Sequence, residues 1–413
     1  MGKDVVILGA GIVGVSAATH LRRRGWDVVV VDRQGPGDGA SFGNAGLIQR
    51  EAVYPHGFPR EIKELARIAR NVSIDAVYHP LDLPRLVAPL LRYWWNSQPK
   101  RYARAVLGTS RLIETCVDEH ESMAEAAGVG HMLRRTGWLR VFDDERALAE
   151  TVRSAEASRR DHGVTFEALD GDGLAVAEPH LMVRRAGAVH FTNAPWVADP
   201  HALVVAYARR LEAMGGRFAT GDAMGLSRTG EGWRVPTTDG VVEAGAVVVA
   251  LGAHSARLTS RFGYSPPMFG ERGYHMHYGL RGNAVLNHPL MDMASGFMLS
   301  PMRAGIRLAT GAEFARLDSP ATPVQLERAE PVARKLLPLG ERLQGEPWLG
   351  VRPCMPDMVP VISAVPKQAG MWGAFGHGSV GLTLGPSTGR LLAEMMDGAA
   401  TFIDPAPYRA DRF

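Results

Sequence analysis

Residues 4–18 read DVVILGAGIVGVSAA, and this segment carries the clearest fold signal in the chain. Val5–Leu8 predicts a buried strand, the glycines after it predict a tight turn, and Ile12–Arg24 predicts a helix. Val28–Val31 is apolar enough to form a second strand. The segment is therefore interpreted as a right-handed βαβ unit, the start of a nucleotide-binding domain.

The spacing of the glycines predicts that this unit binds a dinucleotide. A GxGxxG pattern occupies residues 9–14, and an aspartate ends the next strand. The first glycine permits the turn, the second lets the backbone approach a pyrophosphate, and the third lets helix and strand pack closely. The acid accepts ribose hydroxyls and argues against a 2′-phosphate. The residues expected to contact the dinucleotide are Gly9, Gly11, Ile12, Val13, Gly14, Asp32 and Arg33.

Composition indicates a globular protein. With 413 residues, of which 46% are hydrophobic and 22% charged, the chain is long enough for two domains. Cys116 and Cys354 match neither a disulfide framework nor a metal-ligand spacing, so no metal site is predicted. No apolar run is long enough for a transmembrane helix, and Asp4 and the glycines distinguish residues 4–18 from a secretory signal. The expectation is a cytoplasmic protein.

One segment indicates that this cytoplasmic protein could also contact the inner face of the cell membrane. Residues 81–104 combine leucines, the Trp94-Trp95 pair and basic side chains, and they predict the start of a helical insertion that continues to about residue 127. Two interpretations stay open. The insertion is either an amphipathic helix packed on its own domain or a surface patch at a membrane interface.

Alternating patterns over residues 262–330 predict an antiparallel sheet that forms a separate substrate-binding face. Gly385–Met396 predicts a closing helix. The predicted fold class is α/β, or α+β overall, with a Rossmann-type domain and a second domain built on an antiparallel sheet. The dinucleotide-binding domain is expected to comprise residues 1–80, 137–260 and 336–413. The substrate-binding domain, with the helical insertion, is expected to comprise residues 81–136 and 261–335.

Four later motifs, in the order found here, resemble the FAD-dependent D-amino-acid dehydrogenases of the D-amino-acid oxidase superfamily. They are GASFGNAG at Gly39–Gly46, the strand end Val247–Gly252, GVRPCMPD at Gly350–Asp357 and GHGSVGLT at Gly376–Thr383. The likeness runs nearly end to end, and Phe297–Asp318 is slightly closer to the hydroxyproline-type members. The related sarcosine oxidases hold flavin covalently through a cysteine where this chain has Gly350, so the resemblance implies noncovalent FAD.

The resemblance also implies further cofactor contacts. Ser41 is expected at the pyrophosphate, and the isoalloxazine is expected beside Asn44, Ala45, Gly46 and Leu47. The other dinucleotide-lining candidates, for which core packing is an alternative, are Ala223, Met224, Ala250 and Gly252. In the C-terminal turn, backbone amides would stabilise the negative charge of the reduced flavin. The residues of that turn are Gly378, Ser379, Val380, Gly381, Leu382 and Thr383.

Arg352 is the residue that the resemblance implies for substrate binding. A planar, permanently charged side chain suits an amino-acid carboxylate, and an ordinary salt bridge is the alternative. Tyr274 is expected to close the pocket, with core packing as the alternative. His377 is expected to face flavin or substrate, unless it is a structural histidine. Tyr54 and His56 are further candidates because they follow the flavin-contacting loop.

The implied activity is oxidation of a D-amino or D-imino acid, such as D-proline or cis-4-hydroxy-D-proline, by hydride transfer to flavin N5. Oxygen, a quinone or a soluble carrier could accept the electrons, and the insertion favours a membrane quinone. Two other functions stay open: a flavin-dependent enzyme that modifies nucleic acid, and a flavin-binding subunit of a larger oxidase. The dispersed charge, +3 net, argues against a nucleic-acid partner.

Overall fold

The structure is a computed structural model that describes residues 2–413. Its helices are α1 Ile12–Arg23, α2 Ile62–Ala69, α3 Leu83–Asn96, α4 Pro99–Glu114, α5 Cys116–Ala126, α6 Glu145–His162, α7 Gly171–Ala177, α8 Pro200–Ala213, α9 Ser255–Ser260, α10 Val324–Leu336 and α11 Gly381–Met396. Its strands are β1 Asp4–Leu8, β2 Asp27–Asp32, β3 Ala76–Tyr78, β4 Leu133–Arg134, β5 Trp138–Phe142, β6 Phe166–Asp170, β7 Gly187–Phe191, β8 Trp196–Val197, β9 Arg217–Thr220, β10 Ser227–Arg228, β11 Trp233–Thr237, β12 Gly240–Ala244, β13 Ala246–Val249, β14 Phe269–Leu280, β15 Leu290–Asp292, β16 Phe297–Met302, β17 Gly305–Ala309, β18 Ala312–Phe314, β19 Leu339–Arg342, β20 Trp348–Cys354, β21 Val361–Ala364 and β22 Met371–Phe375.

A six-stranded sheet contains the predicted βαβ unit. Its strand order is β21-β22-β13-β1-β2-β9, and all neighbours are parallel except the edge pair β21 and β22. Helix α1 connects β1 to β2 as predicted. The carboxyl ends of β1, β2 and β13 meet at one edge of the sheet, which is where open α/β sheets bind their ligands.

Helix α11 packs on α1 through small residues. A Cβ on Gly385 would lie 2.7 Å from Ile12 Cγ1, and one on Gly389 would lie 2.6 Å from the carbonyl carbon of Ser16. The predicted start of this helix at Gly385 was wrong, because α11 already begins at Gly381. Gly381, Gly385 and Pro386 give the first two turns a low helix propensity, and packing against α1 compensates for it.

The second large sheet has eleven strands and is mostly antiparallel. Its main path is β3-β18-β14-β17-β16-β15-β5-β7-β6, and β19 and β20 also pair with β14. Only the pairs β15 with β5 and β18 with β3 are parallel. A Rossmann-type parallel sheet beside a mostly antiparallel one confirms the predicted fold class.

Strand pairing departs from the predicted domain division in three places. Residues 76–78, 138–191 and 339–354 were predicted in the dinucleotide domain, yet their strands β3, β5 to β7, β19 and β20 pair in the eleven-stranded sheet. Long-range pairing decides which sheet a short alternating strand joins, and the local pattern does not contain that information. The remaining domain boundaries stay a prediction.

The predicted helical insertion forms α3, α4 and α5. Of the fourteen residues of α3, only Leu86 and Tyr93 are buried. Within residues 2–413, no helix is both long enough and apolar enough to cross a bilayer.

Candidate active site

The glycine turn after β1 leaves room for side chains at only one of its three glycines. Gly9 has a φ of +110°, and a Cβ there would lie 2.4 Å from the carbonyl oxygen of Ala250. A Cβ on Gly14 would lie 1.9 Å from the carbonyl oxygen of Gly9. Gly11 is extended, and an added Cβ would meet only Ser41 Oγ, at 3.5 Å. Gly9 and Gly14 are thus required by the turn, whereas Gly11 keeps its surface open to a ligand.

The start of α1 presents backbone donors beside a fixed carboxylate. Its N-cap is Gly11, which has no side chain, and its first turn contains no acid. Asp32 accepts hydrogen bonds from Ala10 N at 2.8 Å and from Gln34 N at 3.0 Å. Its carboxylate keeps lone pairs for ribose hydroxyls. The arrangement suits a pyrophosphate at the helix start and a ribose at Asp32.

The loop after Gly39 is held by two residues that were predicted to touch the flavin. Gly46 has a φ of +84°, donates a 2.8 Å hydrogen bond to Asn44 Oδ1, and would place a Cβ 2.2 Å from Val197 O. The Thr383 hydroxyl accepts from Gln49 N at 3.0 Å and donates to Leu47 O at 3.3 Å. Gly46 therefore shapes the loop, and Thr383 ties it to α11.

The C-terminal turn, residues 376–380, borders the same region. Gly376 and Gly378 have φ values of +88° and +55°, and a 3-10 turn over Gly378–Val380 leads directly into α11. The first turn of α11 contains no acid. No carboxylate in that turn therefore offsets the positive end of the helix dipole.

All these segments border one cleft of about 1900 Å³ that residues of both large sheets line. The predicted site residues on its wall are Gly9, Gly11, Ile12, Val13, Asp32, Arg33, Ser41, Asn44, Ala45, Leu47, Tyr54, His56, Ala223, Met224, Ala250, Gly252, Tyr274, Arg352, His377, Gly378, Ser379, Val380, Gly381 and Leu382. Gly14, Gly46 and Thr383 are absent from the wall. Their hydrogen bonds and close approaches place them behind it.

Arg352, on β20, presents its guanidinium group to the cleft. Nη1 donates to Gly311 O at 2.9 Å and Nη2 to Thr310 O at 3.0 Å. Gly273 makes room for the group, since a Cβ there would lie 2.8 Å from Nη2. Glu271 is opposite Arg352 in the strand register, yet within residues 2–413 no carboxylate oxygen comes within 4 Å of the guanidinium nitrogens. The backbone thus orients a cation that has no anionic partner.

The Tyr274 hydroxyl belongs to a buried hydrogen-bond network. It donates to Glu313 Oε2 at 3.0 Å and accepts from Arg272 Nη2 at 2.9 Å and Thr322 N at 2.8 Å. Arg272 and Glu313 form a fully buried ion pair at 2.7 Å. Burial raises the pKa of Tyr274. The hydroxyl is therefore fully engaged inside the protein, which favours the packing interpretation of this residue.

The other aromatic candidates differ in exposure. His377 is buried and bonds Thr388 Oγ1 through Nε2 at 2.9 Å, and burial lowers its pKa to about 4. Its imidazole is therefore neutral near pH 7, which favours a structural role. Tyr54 packs edge-on against His162, with ring centroids 5.8 Å apart. His56 is exposed at the cleft.

Several cleft residues were missed by the sequence analysis. Trp138 and Arg140 on β5, together with Gln49 and Trp348, line the same wall. Arg140 lies between Trp138 and Phe142 on the same face of its strand, in a run that is otherwise apolar and buried. An arginine inside such an apolar run is the one local signal that could have indicated its position.

The fold and the cleft define a dinucleotide-binding protein. Residues 4–395 match the DAO family, described as FAD dependent oxidoreductase, and the chain belongs to this family. It is 31% identical to a D-amino-acid oxidase of Bradyrhizobium diazoefficiens over 433 residues, covering 100% of this chain and 99% of the relative. It is 32% identical to a D-amino acid dehydrogenase of Cereibacter sphaeroides, covering 99% and 95%. Glycine oxidase from Geobacillus kaustophilus shares the fold, with a TM-score of 0.74, 23% identity and coverage of 99% and 98%.

FAD is the cofactor, and the residues present fit it. The glycine turn leaves the space above Gly11 open, as a pyrophosphate requires. The cleft of about 1900 Å³ continues from this turn along Ser41 to the amides before α11. The cleft thus connects the expected pyrophosphate site to the turn expected beside the flavin.

Proposed function

We propose that this protein is a dehydrogenase that oxidises a small D-amino or D-imino acid. The observation that supports the proposal most directly is the oriented guanidinium of Arg352, which has no carboxylate partner within residues 2–413. A planar fork of donors suits a substrate carboxylate. The two bacterial relatives whose names refer to D-amino acids support both the substrate class and its stereochemistry.

In this proposal the protein contributes mainly positioning. Arg352 holds the carboxylate, while the small residues Gly273 and Ala309 leave space above the sheet for the carbon that reacts. When bound, FAD supplies the hydride acceptor, and no covalent attachment is required. The Tyr274 hydroxyl is engaged in its network and His377 is buried and neutral, so the amine proton is released to solvent.

Two kinds of substrate fit this arrangement. One is a broad set of D-amino acids, whose imino products hydrolyse in water. The other is a cyclic D-imino acid such as D-proline or cis-4-hydroxy-D-proline, whose product remains cyclic.

Anaerobic bleaching of the flavin absorbance tests the proposal. The purified holoenzyme is mixed with D- and L-amino acids, D-proline and cis-4-hydroxy-D-proline, and the visible spectrum is followed. We expect rapid bleaching with D-enantiomers and at least about 100-fold slower bleaching with the matched L-enantiomers. A yellow protein that none of the D-compounds bleaches would overturn the proposal.

We also propose that α3 contacts a membrane, where a quinone accepts the electrons. Leu91 and Trp95 on α3 are 59% and 49% exposed. Basic side chains frame the two tryptophans: the guanidinium of Arg60 lies 4.3 Å from the ring centroid of Trp94, and that of Arg101 lies 5.2 Å from Trp95. Exposed apolar and aromatic groups framed by arginines suit the surface of an anionic bilayer.

Vesicle sedimentation tests the membrane contact. The wild-type protein is expected to pellet with vesicles that contain anionic lipid, and the double variant Leu91→Glu/Trp95→Ser is expected to bind at least about 10-fold more weakly. Val176→Glu serves as the control, because Val176 is 84% exposed on α7. Equal sedimentation of all three proteins, or none with wild type, would contradict the proposal.

A further inference from the structure

Arg140 lies on the cleft-facing side of the eleven-stranded sheet. The strand register places it opposite Met291, Met291 opposite Met298, and Met298 opposite Ala309. All four residues line the cleft. The row therefore forms a continuous floor that is cationic at Arg140 and apolar from Met291 to Ala309.

The Arg140 guanidinium has no hydrogen-bond or ionic partner within residues 2–413. It lies 5.3 Å from the ring centroid of Trp138 and 4.9 Å from that of Phe191. These rings fix its position by cation–π contact but use none of its N–H donors. Arg140 is half-buried, and its burial lowers its pKa. Such a cation is costly to bury unless an anion joins it.

Glu51 does not supply that anion at close range. Its carboxylate raises the pKa of Arg140 through space, but the two side chains form no ion pair within 4 Å. Glu51 is 5% exposed and absent from the cleft wall, and burial raises its pKa. Its Oε2 and the Trp138 indole N–H are both buried without a hydrogen bond within residues 2–413. The unused donors of Arg140 therefore remain available on the cleft side.

The two unpaired arginines stand at opposite ends of this floor. Arg352 reaches the carbonyls of Thr310 and Gly311, which directly follow Ala309. From β17, which ends at Ala309, to β5, which carries Arg140, there are three strand spacings, about 14 Å. That figure is the separation of the strand backbones. A molecule with two anionic ends separated by a few carbon atoms is the class of ligand that could hydrogen-bond to both guanidinium groups across this floor.

We propose that Arg140 binds an anionic group at the end of the substrate's side chain, so that acidic D-amino acids are preferred substrates. The inference rests on the proposed function, in which Arg352 binds the α-carboxylate. Met291 and Met298 contact the methylene groups between the two charges.

The test compares acids with their amides, which have nearly the same shape. For wild-type holoenzyme, kcat/KM for D-glutamate is expected to exceed that for D-glutamine by about 100-fold. Arg140→Gln is expected to bring this ratio close to 1, and Arg140→Lys to give an intermediate ratio. The control is Arg146→Gln, since Arg146 is 86% exposed on α6, and it should keep the wild-type ratio.

Binding of glutarate, which has no amine to oxidise, gives a second readout by calorimetry. Glutarate is expected to bind wild type at least about 10-fold more tightly than butyrate, and Arg140→Gln is expected to remove the difference. An acid-to-amide ratio near 1 in wild type would overturn the inference even if Arg140→Gln fails to fold. If D-alanine and D-glutamine bleach the flavin but D-glutamate has no advantage, only this inference fails. If no amino acid bleaches it, the proposed function itself fails.

Discussion

Arg352→Ala is expected to lower kcat/KM for the best amino-acid substrate by about 10³-fold, mainly through a higher KM. The loss corresponds to about 4 kcal/mol, which is typical of removing one partner from a buried, hydrogen-bonded charge pair. Arg352 does not contact the glycine turn, so the variant should retain its yellow flavin. Steady-state kinetics together with the flavin-to-protein absorbance ratio measure both parts of the expectation.

Two further variants make the result specific to the carboxylate. Arg352→Lys keeps the charge but loses the planar fork, so that a partial recovery of kcat/KM is expected. Arg328→Ala is the matched control: Arg328 Nη1 also donates to two backbone carbonyls, of Asn71 at 3.3 Å and Ser73 at 3.1 Å, but lies outside the cleft wall. Unchanged kinetics in Arg352→Ala would move the carboxylate site elsewhere.

Gly11→Val is expected to give a folded but colourless protein, with affinity for FAD reduced by at least about 10³-fold. The backbone of Gly11 is extended, with φ −71° and ψ 176°, so valine is not strained there. The added Cβ would meet only Ser41 Oγ, at 3.5 Å, and its methyl groups would occupy space that the pyrophosphate needs. Without FAD, the Gly11→Val protein should be as stable to unfolding as the wild-type apoprotein.

Flavin content after purification, fluorescence titration with FAD and thermal unfolding of the apoproteins check this expectation. Gly230→Val is the control, because a Cβ at Gly230 would have no atom within 4 Å and the residue is not on the cleft wall. Gly14→Val provides a contrast: its Cβ would lie 1.9 Å from Gly9 O, so we expect it to destabilise the fold as well. A yellow Gly11→Val protein with wild-type affinity would refute the assignment of the pyrophosphate to this turn.

The βαβ unit illustrates what local sequence can predict. The apolar runs of β1 and β2, the glycines between them and the acid at Asp32 are close in sequence, and each is required by the geometry of the same turn. The resemblance in the C-terminal half likewise directed attention to Arg352 before its contacts were known. Each of the two predictions depended on residues that lie close together in the chain.

Tyr274 and Arg140 illustrate the opposite case. Tyr274 was selected as a residue that closes the pocket, but its hydroxyl bonds to residues 39 and 48 positions away along the chain. Arg140 was not selected at all, and its strand was expected in the dinucleotide-binding domain. Pairing of β5 with β15 puts it in the cleft.

The Rossmann-type unit, the kind of cofactor and the family could be inferred from the amino-acid sequence, because they depend on short-range patterns and on motifs that are continuous in the chain. The three-dimensional structure was needed to establish which strands share a sheet, which polar side chains are already engaged in hydrogen bonds, and that two arginines without carboxylate partners within residues 2–413 face one cleft. Those properties depend on contacts between segments that lie far apart in the chain, such as Tyr274 and Thr322, 48 residues apart, or the still more distant strands β5 and β15. These contacts form only when the strands have paired and the side chains between them are packed.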